Sequence, residues 1–145
     1  MKKKSVEFTL KAKKQDFPIE KIRSAQDIYN YARKFYFDDI NIYESVFIIM
    51  LNQAMNTIGY AKISQGGVSS CLIDKRIVAK YAIESLASAV ILVHNHPSGC
   101  LQPSKFDDKF TSDIQRCLQM FDIRLLDHVI ISEDSFYSYN DEGRL

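Results

Sequence analysis

Two short runs of the chain carry no polar residue, 46–51 (VFIIML) and 89–93 (AVILV). Runs this short and this rich in β-formers predict strands covered on both faces rather than buried helices. Residues 58–63 and 125–131 predict two further strands, and 136–139 a last short one. Weak alternation over 6–10 predicts a short first strand, and 68–73 another after the Gly66-Gly67 loop. The segment 52–56 between the first two long strands predicts a hairpin turn. Elsewhere the period changes to that of a helix. Ser24-Ala-Gln-Asp27 has the form of a capping box, and Ile28, Tyr31, Ala32 and Phe35 recur behind it, predicting a helix to about Phe37. Ile77, Val78, Ala82, Ile83 and Leu86 predict a second helix with one buried stripe. Phe106, Phe110, Ile114, Cys117 and Leu118 predict a long third helix from Ser104 to about Met120, facing inward. This partial alternation of strands and helices predicts an α/β or α+β domain around a mixed sheet.

Composition narrows the class. The chain has 145 residues, 46% hydrophobic and 26% charged, which is enough to build one core without disulfides or a structural metal. A metal would therefore serve chemistry. Lys2, Lys3 and Lys4 are not followed by the apolar stretch of a signal peptide, and no run reaches the ~18 apolar residues of a membrane span. Cys71, Cys100 and Cys117 form no C-x-x-C pair, which argues against a disulfide framework or a zinc ribbon and points to a reducing cytoplasm. Charge is uneven: residues 1–24 hold eight basic and three acidic residues, net +5, and the rest carries −4 against a chain total of +1. The division expected is a basic leader over 1–23 and a domain over 24–145. The leader is open to two readings, a nucleic-acid contact or a solvated terminus, and self-association as a homo-oligomer is open as well.

The segment that speaks to chemistry is His94-Asn95-His96-Pro97-Ser98-Gly99, followed by Pro103-Ser104-Lys105-Phe106-Asp107. Alternate strand residues project to the same side, so His94 and His96 face one way and Asn95 the other, at the carboxyl end of a buried strand. Two imidazoles on a rigid strand suit a zinc ion; two hydrogen-bonded histidines at a strand end are the plain alternative. Asp107, at the start of the next helix, is placed to supply a third, anionic ligand and leave a fourth position for water, the catalytic arrangement. Ser104-x-x-Asp107 is equally a capping box, and Asp107 cannot easily cap and ligate with the same oxygen. A hydrolytic site also needs a proton acceptor, and Glu44, before the 46–51 strand, is one candidate among 18 acidic residues.

Together, Glu44, His94-x-His96, Ser104 and Asp107 resemble the JAMM motif of JAB/MPN metallopeptidases. HNHPSG, the Pro103-Ser104 and Asp107 positions, and Asp127-His128-Val129-Ile130-Ile131 are similar to the signature of the RadC-like branch. The resemblance runs from about Ser24 to the C-terminus. It implies a cytidine-deaminase-like fold, a curled mixed sheet between helices. It also implies one zinc held by His94, His96 and Asp107, Glu44 as general base and later acid, and Ser104 stabilising the oxyanion of a tetrahedral intermediate. Residues 1–23 are too short for the helix-hairpin-helix-like region of full-length RadC proteins, so the chain is expected to be the short, stand-alone form. Cys100 stands where relatives commonly carry a polar residue. His128 is read as a strand histidine with a hydrogen-bond partner, outside the ligand set.

Two functions follow. One is a zinc hydrolase of peptide or isopeptide bonds in a peptide or protein substrate. The other is a binding or scaffold module in DNA metabolism with an idle metal site. A zinc nucleoside deaminase is disfavoured, because its site needs a C-x-x-C partner that this chain lacks.

Overall fold

The computed structural model describes residues 4–9, 11–15, 17–66 and 73–145. The two all-apolar runs become the central strands of a five-stranded mixed sheet. These are β1 (Ser45–Leu51) and β3 (Ala89–Asn95), both buried along their whole length. Antiparallel β2 (Thr57–Gln65) lies outside β1, parallel β4 (Arg124–Ile131) lies outside β3, and β5 (Phe136–Ser138) closes the far edge, in the order β2-β1-β3-β4-β5.

Helices cover both faces, which is why the central strands are apolar without alternation. One face carries Phe47, Ile49, Leu51, Ile91 and Val93 against α1 (Ala25–Ala32), Phe35 and Tyr36. The other carries Val46, Ile48, Met50, Val90 and Leu92 against Val78 and Ala82 of α2 (Lys75–Glu84) and Phe110, Ile114 and Leu118 of α3 (Lys105–Gln119). The parity of β3 thus assigns His94 to the α2/α3 face and Asn95 to the α1 face. Among the described residues, no helix is long and apolar enough to cross a membrane.

Several boundaries differ from the sequence pattern. The Ser24 hydroxyl does cap α1, accepting from Asp27 N at 3.2 Å. The helix nevertheless ends at Ala32, because the chain tightens into i→i−3 bonds (Lys34 N to Tyr31 O, Phe35 N to Ala32 O) that turn Phe35 and Tyr36 onto Phe47. In α2 only Val78 and Ala82 are buried, whereas Ile77, Ile83 and Leu86 are exposed. Leu86 lies beyond the helix with φ +53°, in a C-terminal turn closed by Leu86 N to Ile83 O and Ala87 N to Ala82 O. Phe106, expected inside, is half exposed on the first turn of α3. Residues 6–9 form no strand: Val6 and Phe8 are exposed and no strand edge pairs with them. Leu10 and residues 68–72 lie outside the described residues, and Ile73 is not in a strand. Ahead of α1, Phe17 stacks on Tyr60, Ile22 is buried, and Lys21 bridges to Asn56.

Candidate metal centre

Three elements meet at the carboxyl end of β3. His94 is the penultimate residue of that strand and is buried. His96 follows it, in a turn closed by Gly99 N to His96 O (2.9 Å), where Gly99 takes φ +80°, a conformation that favours glycine. Asp107 sits in the first turn of α3, and Glu44 directly precedes β1, whose Val46 pairs with His94. Ligand atoms of Glu44, His94, His96 and Asp107 all lie within 4.8 Å of one another, a group that could hold a metal ion.

The distances give the cluster its shape. His94 Nε2 lies 2.9 Å from His96 Nε2, 3.4 Å from Asp107 Oδ1 and 4.0 Å from Glu44 Oε1, and His96 Nε2 lies 3.3 Å from Asp107 Oδ2. Two imidazole nitrogens that close, beside carboxylate oxygens, need a cation between them, either a shared proton or a metal. The donor set of two nitrogens and carboxylate oxygen suits a borderline divalent ion such as zinc.

Ser104 and Asp107 cap α3 through one carboxylate oxygen. Ser104 Oγ accepts from Asp107 N (3.0 Å), and Asp107 Oδ2 accepts from Ser104 N (2.8 Å), a complete capping box. The cap therefore uses Oδ2 and leaves Oδ1 turned to His94. Because Ser104 Oγ is an acceptor in the cap, its hydroxyl proton is left to donate elsewhere.

Charge follows from this packing. Burial works against the Asp107 carboxylate, but hydrogen bonds from His94 and His96 outweigh it and hold the group well below the usual range. Burial pushes Glu44 up, against the pull of His94 and His96. His96 is raised despite burial, chiefly through Asp107 and the Cys100 carbonyl. That carbonyl accepts from His96 Nδ1 at 2.6 Å, so the backbone of Cys100 meets His96, and its thiol is not part of the ligand group.

Three further residues support the cluster. Asn95, fully buried on the opposite face, accepts from Ser45 N (2.8 Å) and donates to Ile40 O (2.6 Å) and Tyr43 O (2.8 Å), clamping the segment that carries Glu44. Its signal in the sequence is a lone amide at the end of an apolar run, where every hydrogen-bonding group must find a partner. His128, on β4, is a strand histidine with partners at both ring nitrogens: Nε2 lies 2.6 Å from His94 Nδ1 and Nδ1 2.6 Å from Thr111 Oγ1. Its ring stacks on Tyr139 at 4.6 Å, whose hydroxyl donates to Asp108. Thr111 carried no signal, since a threonine inside an amphipathic helix is unremarkable in sequence.

Similarity to known proteins agrees with this geometry. The model of the RadC-like JAB domain matches residues 22–144. A UPF0758 protein of Flavobacterium johnsoniae is 40% identical over 101 residues, 70% of this chain and 44% of the relative. Another, of Chlorobaculum parvum, is 37% identical over 125 residues, 86% of this chain and 55% of the relative. A third, of Streptococcus gordonii, is 39% identical over 102 residues, covering 70% and 45%. The chain thus spans about half the length of the curated relatives it matches. With the mixed sheet and the cluster at the end of β3 in place, the match over residues 22–144 makes this chain a member of the RadC-like JAB domain family.

Proposed function

We propose that the chain is a zinc-dependent hydrolase of peptide or isopeptide bonds. The observation that carries this reading is the convergence of Glu44, His94, His96 and Asp107 within 4.8 Å. His94, His96 and Asp107 would hold the ion, and Glu44, whose oxygen is 4.0 Å from His94 Nε2, stands apart from the tighter trio. An ion bound there supplies Lewis acidity, lowering the pKa of a water and polarising the scissile carbonyl. Glu44 takes a proton at a carboxylate oxygen and returns it to the leaving amine; a carboxyl raised by burial suits both halves of that task. Ser104 donates its free hydroxyl proton to the oxyanion while its oxygen keeps the helix cap.

The test uses the full chain loaded with zinc and a library of peptide and isopeptide substrates. Cleavage is expected, with zinc content unchanged and turnover reduced about 10²–10⁴-fold in Glu44→Gln. A zinc-loaded wild type that cleaves no member of the library would overturn the hydrolase reading.

A further inference from the structure

Behind His94 runs a buried chain of hydrogen bonds whose direction follows from the chemistry of its last member. The Thr111 hydroxyl lies 2.6 Å from the carbonyl oxygen of Asp107, its own helix partner four residues back, and 2.6 Å from His128 Nδ1. A carbonyl oxygen only accepts, so the single hydroxyl proton of Thr111 goes to Asp107 O. Thr111 Oγ1 must then accept from His128, which places the His128 proton on Nδ1. The ring is completely buried between Tyr139 and Phe110, and its two nitrogens are taken by Thr111 and His94, neither an acid. A neutral His128 protonated at Nδ1 has a bare Nε2. That atom, 2.6 Å from His94 Nδ1, accepts the His94 proton. The lone pair of neutral His94 is left on Nε2, the nitrogen facing Glu44, His96 and Asp107.

We propose that His128 and Thr111 are positioning residues that lock His94 in the tautomer able to ligate a metal and tie it to the helix turn that carries Asp107. The inference rests on the reading of the cluster as a metal site. One end of the relay is the backbone of Asp107 and the other is the ring of His94, so both ligands are held by one set of bonds running from α3 through β4 to β3. Hydrogen bonds that orient a ligating histidine generally change metal affinity 10–100-fold when removed.

The experiment has two arms, both on the full chain. Zinc affinity is measured by competition with a chromophoric chelator for wild type, Thr111→Val, Thr111→Ser and His128→Phe, each checked by circular dichroism and thermal melting. Thr111→Val keeps the shape and removes the acceptor, so zinc binding is expected to weaken about 10-fold or more, while Thr111→Ser restores it. In the second arm, the imidazole nitrogens of the metal-free wild type are assigned by long-range proton–nitrogen NMR, with His128 expected as the Nδ1–H form. Zinc binding by the wild type together with an Nε2–H form of His128, or with wild-type affinity in folded Thr111→Val, overturns the relay and leaves the metal site standing. Failure of the wild type to bind zinc overturns the metal reading itself. Should His128→Phe not fold, the threonine pair decides alone.

Discussion

The two carboxylate oxygens of Asp107 face different partners, and the pH behaviour of the site follows from that. Oδ2 accepts from Ser104 N in the cap and lies 3.3 Å from His96, while Oδ1 faces His94 at 3.4 Å. In the metal-free chain Asp107 is depressed by its histidine partners, so its contribution to stability is present above the unfolded value of about 3.9 and is lost as pH falls further. His96 is raised by Asp107 and Cys100 O, so its contribution is fully present below about 6.5 and is lost as pH rises through its higher folded value. The melting temperature of the metal-free protein should therefore be highest between about pH 4 and 6.5 as far as this pair is concerned, and His96→Gln should flatten the alkaline limb. On the proposed metal reading, zinc would have to displace the histidine proton, so its apparent affinity should fall about tenfold per pH unit, per proton displaced, below the His96 pKa. An affinity independent of pH between 5 and 7 would contradict the assignment of His96 as a ligand.

At the level of elements, helix ends account for most departures from the sequence pattern. Neither α2 nor α3 has a glycine after its last turn, yet both end in a residue with positive φ, Leu86 (+53°) and Asp122 (+57°). Each end is closed by paired backbone bonds, Ala87 N to Ala82 O and Ile123 N to Leu118 O, the kind of closure that glycine usually makes easy. A leucine in that conformation costs about 1–2 kcal/mol, and Leu86 is exposed, so its side chain recovers little through packing. Leu86→Gly should stabilise the chain by about 1 kcal/mol, read as a higher denaturation midpoint with unchanged slope. No gain would mean that the leucine side chain makes contacts which offset the strain. The stripe drawn through Ile77, Ile83 and Leu86 failed for a related reason. α2 packs mainly through Val78 and Ala82, so a helical period alone overstated the width of its buried face.

For the molecule as a whole, the charge asymmetry and the packing divide the chain differently. The described residues from 4 to 15 are exposed, whereas Phe17 stacks on Tyr60, Glu20 and Thr57 exchange two hydrogen bonds, and Ile22 is buried. Removing residues 1–15 should therefore leave stability within about 0.5 kcal/mol of the full chain, while removal as far as 23 should lower it measurably. The shorter deletion also tests nucleic acid as a partner. Salt-dependent binding of duplex DNA that disappears with residues 1–15 would support a contact through the leader, and binding that survives would place it elsewhere.

The local pattern by itself determined the two central strands, the caps at Ser24 and Ser104, and the opposite facing of His94 and Asn95, because each depends only on neighbours within a few residues. Spacing also brought His94, His96 and Asp107 forward as a group. Glu44 did not stand out among 18 acids until the match to a known motif singled it out, since a separation of 50 residues along the chain carries no distance information. Only the tertiary structure decided that Asp107 caps with Oδ2 while Oδ1 faces His94, and that His128 and Thr111 stand behind His94. These are relations among β3, β4 and α3, created when β3 and β4 pair in register and α3 folds across them; no periodicity within any one segment encodes them.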